Sequence, residues 1–121
     1  MIERRVEPRV VKTWEMFCRD APSFSVALDG YVTGAPQYDH NGPRLNINHH
    51  EGVDRLSTRS TTGQVYMLIK QGLFERFRER GEPRAILWEN DPDADTATAD
   101  WLMFHYDRIL GTKSEPLISR L

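Results

Sequence analysis

Residues 85–102 read AILWENDPDADTATADWL, and the period of the pattern changes part-way along. Residues 84–90, RAILWEN, carry an unbroken apolar run, as a short buried strand requires. From Ala97 the residues Ala97, Trp101, Leu102, Phe104, His105 and Ile109 recur at helical spacing, with a start predicted near Asp95 or Thr96. A buried strand that passes through an acidic turn into a helix belongs to an α/β fold rather than to a bundle or a sandwich of hairpins.

The chain on either side has the same character. Residues 9–20 place Val10, Val11, Trp14, Phe17 and Cys18 on one helical face. FSVALDG then reads as a buried strand stopping at the turn pair Asp29-Gly30, and RLNIN (residues 44–48) reads as a second strand. Residues 31–44 between them are rich in Gly, Pro, Asn and Asp and read as a long loop. Residues 57–80 read as one strong helix, capped at Ser57, Thr58 or Ser60, striped by Val65, Leu68, Ile69, Leu73, Phe74 and Phe77, and closed by Gly81 and Pro83. The expectation is a single α/β domain over residues 1–121, with an at least partly parallel sheet of three or more strands flanked by helices.

Composition narrows the function classes. The 121 residues include 16 basic and 18 acidic ones, a net charge of -2, so no global basic field draws the chain to nucleic acid. One cysteine, Cys18, excludes an internal disulfide and a cysteine-rich zinc site and suits a reducing compartment. No apolar run reaches signal-peptide or membrane-span length, and the expected location is the cytoplasm, with no membrane partner.

The candidate chemistry lies at strand ends. Asp29 follows SVAL, His49 and His50 follow LNIN, and Asp91, Asp93 and Asp95 follow AILWEN. If these strands are parallel, all three groups reach one edge of the sheet, where ligands bind in such folds. Carboxylates alternating over five residues repel one another unless a cation neutralises them. Oxygen ligands joined by imidazole favour Mn²⁺ or Mg²⁺, with Fe²⁺ or Zn²⁺ also compatible, and a two-metal site would activate water for phosphoester hydrolysis. The expected metal ligands are Asp29, His49, His50, Asp91, Asp93 and Asp95, with His49, His50 and Asp93 central to catalysis and Arg55 and Arg59 gripping a phosphate.

Each feature also has a plainer reading. DPDAD is good helix-capping sequence, and a calcium loop is excluded because Thr96 and Leu102 stand where Gly and Glu are needed. Neighbouring histidines on a strand face opposite sides, so one of them commonly serves structure alone. DHNG around Asp39 and His40 is turn chemistry, and His105 reads as a packed or surface residue. The arginines of residues 76–84 suit a solvated helix end or phosphate contacts, and STRSTTGQ (residues 57–64) suits either a helix cap or an anion.

NHHEG, STTGQVYMLI, ILWENDPDADTATADWL and SVALDG together resemble motifs of the DHH phosphoesterase superfamily, closest in pattern to its exonuclease branch and in permuted order. The resemblance implies a dimanganese or dimagnesium phosphohydrolase acting on a nucleotide, a nucleic-acid end or a small phosphoester. It also implies that Asp91, Asp93 and Asp95 ligate the metals, that Asp29 joins or bridges them, and that His49 and His50 complete the site. The competing expectation is a noncatalytic binding or assembly module on the same fold. The apolar Leu117, Ile118 and Leu121 near the end suggest a homo-oligomer or a partner domain.

Overall fold

A computed structural model of the protein describes residues 1–48, 60–91 and 93–111. In chain order the elements are β1 (Ile2–Val6), α1 (Trp14–Asp20), β2 (Ser25–Asp29), β3 (Gln37–Asp39), β4 (Arg44–Asn48), α2 (Thr61–Lys70), α3 (Leu73–Arg76), β5 (Arg78–Glu79), β6 (Glu82–Pro83), β7 (Ala85–Glu89), α4 (Ala94–Phe104) and α5 (Tyr106–Leu110). Five strands form one sheet in the order β1-β7-β2-β4-β3, while β5 and β6 make a separate two-stranded hairpin. Strands β1, β7, β2 and β4 run parallel and β3 closes one edge antiparallel, which makes the fold α/β.

Period-two alternation divides the core between the two faces of the sheet. Val26, Leu28, Leu45, Ile47 and Leu87 pack with Val65, Ile69, Phe74, Leu102, Met103 and Ile109 from the helices after β4. Ala27 faces the other way, toward Phe17 and Ala21 of the α1 side and toward Tyr31 and Val32. All five residues of β2 are buried, as expected of a strand paired on both edges and covered on both faces. Among the described residues no helix is long and apolar enough to cross a membrane.

Four local features differ from the sequence expectations. IERRV forms β1, whose single partner β7 leaves the other edge unpaired by any described strand, so its charged residues stay at the surface. The first helix begins at Trp14 because Thr13 accepts the Met16 N–H at 3.2 Å, leaving residues 9–12 outside it. The 31–44 loop contains β3, paired with β4. The expected single helix over 57–80 is α2 followed by α3: Ser60 caps α2, and Gly72, at φ 97°, breaks the helical path before Leu73. Residues 57–59 lie outside the described residues.

Candidate functional site at the carboxyl edge of the sheet

Strands β7, β2 and β4 are parallel neighbours, so the expected convergence of their carboxyl ends on one edge is present. Asp29 lies opposite Asn48 in the β2–β4 register, and β7 ends alongside at Glu89. Beyond β2 the chain turns toward the α1 face, where Tyr31 and Val32 pack on Phe17, whereas β7 leads into α4 on the opposite face. Such a divergence at the carboxyl end of parallel strands is where open α/β sheets bind ligands.

Asp29 is 7% exposed and adopts φ 57°, a left-handed conformation that Asp tolerates better than most residues. Its carboxylate meets the first turns of two helices. Thr61 of α2 donates its hydroxyl to Oδ1 at 3.4 Å, and Thr96 of α4 approaches Oδ2 at 3.5 Å. The Thr96 hydroxyl also lies 3.0 Å from Asp93 Oδ1. A hydroxyl has one hydrogen, so the shorter contact to Asp93 takes precedence.

Asp93 is the N-cap of α4, accepting the Thr96 N–H at 2.8 Å. Asp95 reaches across to the neighbouring helix: Oδ2 accepts the Thr61 N–H at 2.9 Å, and Oδ1 accepts the Thr62 N–H at 2.9 Å and the Thr62 hydroxyl at 2.5 Å. Ser60 accepts the Gly63 N–H at 3.0 Å. The first N–H groups of α2 are therefore met by protein oxygens, and the STTG stretch acts as a capping segment with Asp95 in the position an anion would take.

The expected ligands can now be placed. Asp29, Asp93 and Asp95 come together, linked through Thr61 and Thr96. Asp91 is exposed on the turn after β7, outside that linked group. His49, His50, Arg55 and Arg59 lie outside the described residues. Hard carboxylate oxygens suit Mn²⁺ or Mg²⁺, but among the described residues no three His, Cys, Asp or Glu side chains stand close enough to hold a metal ion. Asp95 already accepts three hydrogens, and Asp93 Oδ1 accepts the Thr96 N–H and hydroxyl, so both carboxylates serve the starts of the helices.

No family model, curated protein or solved structure matches this chain. Its own residues are thus the whole basis for a functional reading. Asn48 is buried beside Asp29: its side-chain amide donates to the Gly34 carbonyl at 2.9 Å, and its backbone carbonyl accepts from Gln64 at 3.2 Å. Asn46 does similar work, its amide reaching the carbonyls of Thr33, Gly34 and Ala35 at 3.2–3.4 Å. Both asparagines tie the 31–44 loop to β4.

Three further polar residues were not anticipated. Arg4 of β1 binds Glu89 Oε1 at 2.5 Å and Asp100 Oδ2 at 3.0 Å beneath α4. Glu89 Oε2 and Asp100 Oδ1 are buried with no hydrogen-bond partner among the described residues. Burial, then the hydrogen bond to Glu89 and its charge, push the Asp100 carboxyl up to about 8, against the opposing pull of Arg4. A proton on Asp100 would supply the donor that two carboxylates lack. The sequence signal was available: Asp100 stands on the buried stripe of α4 with Thr96, Ala99 and Met103.

The remaining candidates have local partners. Asp39 accepts the Asn41 N–H at 3.0 Å and binds Arg44 at 2.9 Å, and His40 stacks edge-on against Tyr38. His105 stacks on Trp101 with ring centroids 4.3 Å apart. Among the arginines of residues 76–84, Arg76 lies over the Tyr38 ring, Arg78 donates to the Phe74 and Gly81 carbonyls, and Arg84 binds Glu3.

Proposed function

We propose that the carboxyl edge around Asp29 is the site of a phosphoester hydrolase assisted by Mn²⁺ or Mg²⁺, built on DHH-like motifs in permuted order. The observation that carries the reading is the adjacency of β7, β2 and β4, because it makes the order of the motifs along the chain irrelevant to their meeting at one edge. Asp29 and Asp93 are the described residues that would hold the cation, with His49 and His50 as the further ligands. When bound, the cation would neutralise phosphoryl charge and acidify a water molecule. The chain's own part is orientation: Thr61 donates to the Asp29 carboxylate, Thr96 fixes Asp93, and Asp95 locks the starts of α2 and α4 together. The substrate class is a phosphoester of a nucleotide, a nucleic-acid end or a small molecule.

The test is Mn²⁺-dependent turnover of bis-p-nitrophenyl phosphate and of short single-stranded oligonucleotides. Asp29→Asn, Asp93→Asn and His50→Ala are each expected to lower the rate by at least about a hundredfold, the scale of losing a group that acts in the transition state. Asp95→Asn should act chiefly on stability. Absence of both turnover and calorimetric Mn²⁺ binding would sink the hydrolase reading. One observation favours a second reading, a noncatalytic binding module: Asp93 and Asp95 both serve as helix caps. That reading predicts a folded protein with ligand binding and no turnover.

A further inference from the structure

The open edge of the sheet points to an interaction that is independent of the carboxyl-edge site. On either side of β1 the backbone of Met1 accepts from Ala85 at 3.2 Å and that of Glu7 donates to Glu89 at 2.8 Å, so the odd-numbered residues face β7. Parallel pairing alternates, and the N–H and C=O groups of Ile2, Arg4 and Val6 therefore point outward. No described strand pairs with them. An exposed strand edge is a template for another strand.

The side chains specify which strand. Antiparallel pairing of two copies about a twofold axis at Arg4 places Glu3 opposite Arg5 of the second copy, twice over, and Ile2 opposite Val6. Moving the axis to Glu3 or to Arg5 places identical charges opposite each other, which is unfavourable. With the axis at Arg4, the outward-facing residues are the hydrogen-bonded pairs, as the backbone requires. Arg4 meets its own copy there, but its charge is already matched within the chain by Glu89. On the same face as Ile2 and Arg4, Trp101 and Phe104 of α4 are 47% and 45% exposed, and Phe104 borders the cavity that Met1 and Ile2 line. These rings flank the edge with apolar surface that a second copy would cover.

We propose that two copies of the chain associate through antiparallel pairing of their β1 strands about Arg4, making one continuous sheet across the dimer.

Sedimentation velocity and light scattering on the full chain over a range of concentrations test the proposal, and the expected species is a dimer. Val6→Pro removes an outward N–H without touching the bonds to β7, and should weaken association by about tenfold or more with the far-ultraviolet circular dichroism unchanged. Arg5→Glu and Glu3→Arg each make like-charge pairs across the axis, and each should reduce self-association by about tenfold. Mixed together, the Arg5→Glu chain brings acidic side chains at positions 3 and 5 and the Glu3→Arg chain brings basic ones, so both pairs between positions 3 and 5 are again of opposite charge and the mixture should recover the dimer. A monomeric wild type at all concentrations overturns the proposal. So does a dimer indifferent to Val6→Pro, or one lost only on substituting Trp101 and Phe104, which would place the contact on the helix. Failure of the mixture to associate would rule out this register.

Discussion

Asn48 shows how one atom can decide whether a residue belongs to a site. It sits opposite Asp29 at the end of β4, beside the proposed site, and its Nδ2 donates to the Gly34 carbonyl from a fully buried position. Replacing that donor by oxygen would set a buried carboxylate against a carbonyl. Asn48→Asp is therefore expected to destabilise the protein by about 3 kcal/mol, the scale of a buried polar group turned from bonded to repelled. Denaturant unfolding measures this, and Mn²⁺ titration of the variant gives an independent check. A variant as stable as wild type with tighter Mn²⁺ binding would mean that residue 48 faces the cation. Asp29 is held differently, by the Thr61 hydroxyl at 3.4 Å on a left-handed backbone, so its position follows the start of α2.

At the scale of elements, α2 and α4 form a coupled pair rather than two separate helices. Asp95 in the first turn of α4 accepts the leading N–H groups of α2, so a shift of either helix disturbs the other's cap. The helices as apolar stripes were legible in the sequence, because periodicity reports which residues face a core. Their ends were less legible: a cap donated by a different helix leaves no local signature, and Gly72 inside the stripe of residues 65–77 does not by itself reveal that it turns left-handed. Gly72 has φ 97°, and an added Cβ would lie 3.1 Å from Glu75 Oε2. Gly72→Ala should cost about 1–2 kcal/mol in thermal or denaturant unfolding, chiefly from the conformation and little from the contact, since the Glu75 side chain can move. An unchanged stability would mean that α2 and α3 run on as one helix.

Across the whole molecule, what the sequence revealed and what it hid follow from chemistry. The strands SVAL and AILWE were legible because strands buried in a parallel sheet are nearly all apolar, RLNIN because Leu45 and Ile47 alternate with polar residues, and their shared edge followed once they were taken as parallel. IERRV was missed because an edge strand carries charge on purpose. The cluster that IERRV completes with β7 and α4 could not be read without the fold, since Arg4, Glu89 and Asp100 are far apart in the chain and meet only through strand order. It gives the molecule a pH dependence opposite to that of an ordinary salt-bridged carboxylate. With its folded pKa raised from 3.8 to about 8, Asp100 binds its proton more tightly in the folded protein than in the unfolded chain. That contribution to stability is full below the unfolded value, declines as pH rises from about 4, and is gone above about 8. Asp100→Asn keeps the shape, supplies an N–H to Glu89 in place of the proton, and leaves an oxygen for Arg4. Thermal melts at intervals between pH 5 and pH 9 should then show the wild type losing stability relative to the variant as pH rises, with Asp100→Asn the more stable of the two at pH 9. A constant difference across that range would mean that Asp100 is ionised throughout and that Arg4 alone balances both carboxylates.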